Sequence, residues 1–327
     1  MPQRLPGSAA WASLTPSDRR QCGTGRTFFT EKKDRELKEQ GLRMKTEDGP
    51  LDGPLDGPLA KLFADLKREG RKALAPFVTA GDPNCETTLA VIEALDRAGA
   101  SLCELGVPYS DPIADGAVIQ SSYTRALAAG FTLEKLFALV RLASARVKMP
   151  ILAMVSYSII YRRGIERFVA DAKGCGMAGL VVPDLPLEES DQLDQACRSA
   201  GLALVRLVTP TTPPARAEEI ARRATGFLYC VAVAGVTGAR TDLPAGLLER
   251  IEWLRTKTEV PILVGFGIST PEQVQAVTAV ADGAIVGSAL VRHLEGFSDP
   301  HHAAPAAQAT LLKNLEETVG RLAAATG

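Results

Sequence analysis

Apolar and polar positions divide the chain near residue 59. Up to that point no apolar periodicity is sustained: Glu31 to Arg43 is a dense charge run, and Gly49 to Leu59 reads GPLDGPLDGPL. A segment of this kind buries little and resists regular structure. Residues 1–58 are therefore expected to be a disordered low-complexity extension, with Met44 as an alternative start inside it. From Leu59 onward short apolar runs alternate with amphipathic stretches. The runs are Ala73–Thr79, Leu102–Gly106, Ile151–Val155, Gly179–Val182, Leu202–Val208, Phe227–Val231, Pro261–Gly265 and Ala284–Val286. They are rich in Val, Ile and Leu without clean alternation, as strands covered on both faces should be.

Helical patterns fall between these runs. Leu89, Ile92 and Leu95 recur at i+3 spacing, and Ala94 and Ala98 widen the apolar stripe. Thr270-Pro271-Glu272-Gln273 combines an N-cap, a proline in the first turn and a capping-box glutamine. Glu188–Ala200, Pro214–Ala224, Ala289–His293 and Ala307–Ala325 also fit helices. Repeated strand–helix order implies parallel strands with right-handed crossovers. Eight units predict an α/β fold of the (β/α)₈ or TIM-barrel type over 59–327, with an open doubly wound sheet as the alternative.

Composition narrows the chemistry. Apolar residues are 46% of 327, enough for a full core, and the net charge of −1 gives no footprint for nucleic acid or an anionic membrane. No apolar run approaches transmembrane length, and the first twenty residues lack the core of a signal peptide. The six cysteines are scattered, which suits reduced, buried thiols in a cytoplasmic protein. Only three histidines occur, His293, His301 and His302, all near the C-terminus. A Ser-His-Asp triad or an imidazole-bound metal needs them spread through the fold, so neither is expected.

In an eight-stranded parallel barrel, chemistry collects at strand C-termini and in the loops beyond them. Glu104 stands inside the apolar second strand, where burial should raise its pKa toward the range useful for proton transfer. Its structural alternative is an ion pair with a buried Arg or Lys. The next loop, Val107 to Gly116, is stiffened by two prolines and carries Asp111 and Asp115. Each aspartate suits ordinary turn chemistry, and the loop also suits a lid over a site. Glycine clusters follow at Gly235-Val236-Thr237-Gly238, Gly265-Phe266-Gly267 and Gly287-Ser288. Glycine lets backbone N–H groups approach an anion, and the loops after strands 7 and 8 are a frequent phosphate site in this architecture. A Schiff-base aldolase needs a lysine at the mouth. Lys135, Lys148, Lys173 and Lys257 fall instead on helices or at strand N-termini. The site is thus expected to use carboxylate acid–base chemistry on a substrate that supplies its own electron sink.

Three segments carry a family resemblance: Pro76-Phe77-Val78-Thr79-Ala80-Gly81-Asp82-Pro83, the run from Glu104 to Gly116, and Gly265-Phe266-Gly267-Ile268-Ser269. From about Leu59 to the C-terminus the chain resembles the tryptophan synthase alpha chain. That resemblance implies a lyase cleaving indole-3-glycerol phosphate to indole and glyceraldehyde 3-phosphate, with the indole ring as electron sink. It implies that Glu104 protonates indole C3 and handles the glycerol hydroxyl proton, and that Asp115 accepts a hydrogen bond from the indole N–H. It assigns the phosphate to Gly238, Gly267, Gly287 and Ser288, ring packing to Phe77, Tyr229 and Phe266, and site closure to Thr237. It further implies a beta chain partner in an alpha2beta2 heterotetramer and no cofactor on this chain. Two departures stand out: Ser156 and Ser158 where the family commonly has Tyr and Asn, and Ala232-Val233-Ala234 where it has a Ser-Arg-Ser/Thr run. The competing readings are a non-catalytic activating barrel and another phosphosugar barrel isomerase.

Overall fold

The computed structural model describes residues 55–113, 115–232, 246–265, 267–298 and 304–327. Eight parallel strands close into a barrel in sequence order. They are β1 (Ala73–Thr79), β2 (Cys103–Gly106), β3 (Ile151–Met154), β4 (Gly179–Val181), β5 (Ala203–Val208), β6 (Leu228–Val231), β7 (Ile262–Gly265) and β8 (Gly283–Val286). All eight apolar runs are strands, and the closed β1–β8 pairing, Ala73 to Pro76 against Gly283 to Val286, rules out the open sheet. The helices are α1 (Pro58–Arg68), α2 (Cys85–Arg97), α3 (Ala117–Ala128), α4 (Leu133–Ser144), α5 (Tyr157–Arg163), α6 (Ile165–Cys175), α7 (Asp191–Ala200), α8 (Pro214–Arg223), α9 (Leu247–Arg255), α10 (Pro271–Thr278), α11 (Ser288–Leu294) and α12 (Pro305–Ala324). The expected helix from Glu188 begins three residues later, because Leu187–Glu189 forms a 3₁₀ turn first. Thr270 caps α10 as expected: Gln273 N–H donates to Thr270 Oγ1 at 3.3 Å, and Gln273 Oε1 accepts from Ser269 N–H at 2.8 Å. The disordered-extension reading falls, for residues 1–54, outside the described residues. Pro58, expected to end that extension, instead opens α1, and Lys61 N–H donates to Gly57 C=O at 3.0 Å.

Strand register explains how one sequence supplies two cores. Side chains alternate across a strand, so Leu74, Cys103, Ile151, Leu180, Leu204 and Leu228 face the helices in the outer core. Ala75, Leu102, Leu152, Val181, Val205, Tyr229, Leu263 and Ile285 fill the barrel interior. Leu59, Phe63 and Leu66 of α1 join that interior core at the N-terminal ends of the strands. The Phe63 ring meets Phe227 edge-on, with centroids 6.1 Å apart. The α1 helix is therefore a stopper for one end of the barrel, leaving the C-terminal mouth for chemistry.

Charges buried between the layers are paired. Arg206 points outward from β5, and its Nη2 donates to Asp194 Oδ2 on α7 at 2.5 Å while Nη1 donates to Ser190 Oγ at 3.0 Å. Asp194 also accepts from Arg198 Nε at 3.2 Å. A second pair matters for the site. Asp82, buried after β1, takes Arg125 of α3 in a two-pronged ion pair at 2.9 and 2.7 Å. Thr79 and Ser122 hydroxyls meet at 2.6 Å beside it. Together these contacts fix α3, and the loop leading into it, against the mouth end of β1. Among the described cysteines, Cys103, Cys175, Cys197 and Cys230 are buried, Cys85 is half-buried, and all are free thiols.

Candidate active site

A cavity of about 480 Å³, counting the part open to solvent, occupies the C-terminal mouth. Its wall contains Phe77, Glu104, Asp115, Tyr229, Gly267, Gly287 and Ser288, all from the residues picked out in the sequence. The remaining three, Thr237, Gly238 and Phe266, lie outside the described residues. Ile119, Met154, Ile268 and Ile285 complete the wall and were not foreseen. An apolar residue at a barrel mouth has the same sequence signature as one in the core; only its place at a strand end, as for Met154 and Ile285, distinguishes it.

Each side chain reaches the cavity for a local reason. Phe77 and Glu104 are register partners on β1 and β2, and both point inward. Glu104 is 2% exposed, and neither carboxyl oxygen has a hydrogen-bond partner. The ion-pair alternative for Glu104 is thereby removed. Burial, then the charge of Asp115, pushes its carboxyl up to about 8, so the acid is neutral at pH 7. Asp115 lies in the loop after β2, half-buried, and burial pushes it up to about 6. Its backbone position is fixed from α3: Gln120 Nε2 donates to Asp115 C=O at 2.8 Å and to Pro112 C=O at 3.1 Å. Asp115 thus serves both as a turn residue and as a wall residue. The pair accordingly presents one protonated and one ionised carboxyl near neutrality, the division of labour that acid–base catalysis requires.

The rim at the ends of β7 and β8 is glycine-built. Gly267 adopts φ +86°, a left-handed conformation that side-chain-bearing residues disfavour. Gly287 precedes α11 and lies over Phe77: a Cβ on it would be in ordinary contact with the Phe77 Cβ at 3.5 Å. The first amides of a helix have no intrahelical acceptor, so the N–H groups at the start of α11 can meet an anion in the same cavity as the acids. Gly265, at the end of β7, leaves space for Tyr229: a Cβ there would strike the phenol, with Cε1 at 2.8 Å. The departure at Ser156 and Ser158 has a structural counterpart. Ser156 Oγ donates to Asp184 Oδ2 at 2.7 Å, and Asp184 Oδ1 accepts from Tyr157 N–H at 2.8 Å, tying the start of α5 to the loop after β4. Of the second departure only Ala232 is described, and it is buried.

A closed parallel barrel whose mouth holds a neutral acid, an ionisable partner and a glycine-rich rim belongs to the acid–base enzymes of the (β/α)₈ class. Comparison with known proteins narrows this to one lineage. Residues 63–325 match the tryptophan synthase alpha chain family, and the chain belongs to it. The alpha chain of Rhodopirellula baltica is 53% identical over 236 residues, spanning 71% of this chain and 85% of that one. That of Geobacter sulfurreducens is 45% identical over 261 residues, spanning 80% and 98%. Among solved structures, tryptophan synthase subunit alpha from Legionella pneumophila superposes with a TM-score of 0.73 at 32% identity, covering 83% of this chain and 98% of that one.

Proposed function

We propose that this chain is a carbon–carbon lyase of tryptophan biosynthesis that cleaves indole-3-glycerol phosphate to indole and glyceraldehyde 3-phosphate. The observation that carries the reading is Glu104, a fully buried carboxyl with no partner, held neutral at the strand end where this family does its chemistry. Glu104 donates its proton to indole C3, and Asp115 accepts the ring N–H as positive charge develops there. The resulting Glu104 carboxylate takes the proton of the glycerol hydroxyl next to the ring. The C3-to-carbon bond then breaks, a carbonyl forms on the departing glycerol carbon, and the bonding electrons return to the ring as indole. Glu104 ends the cycle protonated, as it began. Gly267, Gly287 and Ser288 hold the phosphate, joined by Gly238, while Thr237 closes the site. Phe77, Tyr229 and Phe266 pack the indole ring. A non-catalytic subunit would have no use for a buried carboxyl whose charge has no partner, and among the described residues nothing in the mouth favours an isomerase.

The partner we infer is a tryptophan synthase beta chain, in an alpha2beta2 assembly that receives the indole. Family membership supports this, as does Ile113, 87% exposed in the loop that also carries Asp115. No cofactor is assigned to this chain. The proposed location is the cytoplasm; among the described residues no helix is long and apolar enough to cross a membrane. Residues 1–54 are proposed as an extension that the catalytic barrel does not need. The test is indole release from indole-3-glycerol phosphate by purified chain, with and without a beta chain. The expected result is release by the chain alone and faster release with the partner. No release in either condition would refute the lyase assignment.

A further inference from the structure

The reaction just proposed uses two carboxyls, yet a third polar group stands beside them without an assignment. Tyr123 lies on α3, two turns after Asp115, with its ring only 2% exposed. The ring is fixed among Phe77, Ile119 and Val291 and tilts against Tyr109, with centroids 5.8 Å apart. Its hydroxyl reaches the top of β2: a Cβ built on Gly106 would come within 2.9 Å of that oxygen. Gly106 follows Glu104 by two residues and faces the same side, so the phenol oxygen sits one layer above the Glu104 carboxyl. The Asp115 carboxylate lies within electrostatic reach of the Tyr123 hydroxyl. A hydroxyl donor and a carboxylate acceptor therefore lie together in the region beyond β2. Burial raises the Tyr123 phenol well above its ordinary value, and after burial the causes are the charges of Asp115, Tyr109 and Glu104 in that order. The phenol thus stays a neutral donor at every working pH.

We propose that Tyr123 is a positioning residue for Asp115, its hydroxyl donating to the Asp115 carboxylate in the substrate-bound enzyme and aiming that carboxylate at the indole N–H. This inference rests on the lyase reading. Gln120 already holds the loop by its backbone carbonyls, but a backbone anchor leaves the carboxylate free to rotate. Among the described residues, the titratable groups that face Asp115 are Glu104 from β2, Tyr109 from its own loop, Tyr123 from α3 and Tyr229 from β6. None of them is a cation, so a phenol donor is the group at hand to favour the ionised form. A hydrogen bond donated to a carboxylate lowers its pKa, and removing the bond raises it.

The experiment is Tyr123→Phe in the full chain, which keeps the ring and removes one oxygen. Steady-state cleavage of indole-3-glycerol phosphate is measured across pH, alone and in combination with Asp115→Asn. The expected result is a roughly tenfold fall in kcat with KM nearly unchanged, as for a hydrogen bond to a charged group. The acid limb of kcat should lie below about 6 in the parent and return toward about 6 in the Phe variant. Adding Tyr123→Phe to Asp115→Asn should cost little more, since the two act through one bond. A Phe variant with parental kcat and an unmoved acid limb overturns the proposal, as do fully additive effects in the double variant. A parent chain that releases no indole overturns the lyase reading itself, and this inference with it.

Discussion

Replacing Glu104 with Gln should end catalysis and stabilise the fold. The folded protein moves this carboxyl from 4.5, its value in an unfolded chain, to about 8. A raised pKa means the native state binds the proton more tightly than the unfolded state. Stability from this group is thus fully present below about 4.5 and is lost as pH rises toward about 8. At pH 7 the gap to the unfolded value is about 2.5 pH units, and at about 1.36 kcal/mol per unit the loss is about 3 kcal/mol. Glutamine matches the shape of the neutral acid and has no charge to forgo. The Gln variant should therefore equal the parent near pH 4 and exceed it by about 3 kcal/mol at pH 7, the gain growing by about 1.4 kcal/mol per pH unit between. Urea unfolding of both proteins at several pH values measures this directly. A stability difference that does not change with pH, or a Gln variant weaker than its parent at pH 7, would refute the reasoning. Retained indole release would refute the role of Glu104 independently.

Further predictions concern the rest of the site and its frame. The free enzyme's kcat/KM should fall below about 6, where Asp115 gains a proton, and above about 8, where Glu104 loses one; Asp115→Asn should slow turnover strongly, remove the acid limb and spare phosphate binding. Asp194→Asn should cost about 3–5 kcal/mol by stranding Arg206 in the outer core, read as a lower urea midpoint with catalysis preserved in the folded fraction. Gly265→Ala should destabilise by about 1–3 kcal/mol and lower kcat, because the new methyl must displace Tyr229 from the cavity wall; an unchanged melting temperature would contradict that packing. Removal of residues 1–54 should leave melting temperature and rate close to the parent's, since α1 and everything after it remain.

What was legible beforehand follows from which signals sequence carries. Strands covered on both faces leave continuous apolar runs, so all eight were found to within a residue or two. Glu104 was conspicuous because a charge inside such a run has few structural excuses. The stopper helix α1 was overlooked although Leu59, Phe63 and Leu66 keep helical spacing, because the polar repeat beside them dominates the local pattern. The paired helices between β2 and β3 were also missed: α3 is interrupted by Gln120, Ser121, Ser122 and Thr124, so its apolar stripe is weak. That weakness has a cause, for Gln120 and Ser122 spend their polarity on the site loop and on β1. Tyr123 escaped notice for a related reason. An aromatic among helical residues reads as core, and only three-dimensional placement brings its hydroxyl to the top of β2.

Closure of the lower end by α1 sets the traffic of the reaction. With Leu59, Phe63 and Leu66 packed in one cluster with Phe227 and Tyr229, the described residues leave the C-terminal mouth as the way in. Substrate enters and both products depart past the same lip, so the ring cannot slip out below while the phosphate fragment stays above. Whatever enters or leaves must therefore do so on the side of Glu104 and Asp115.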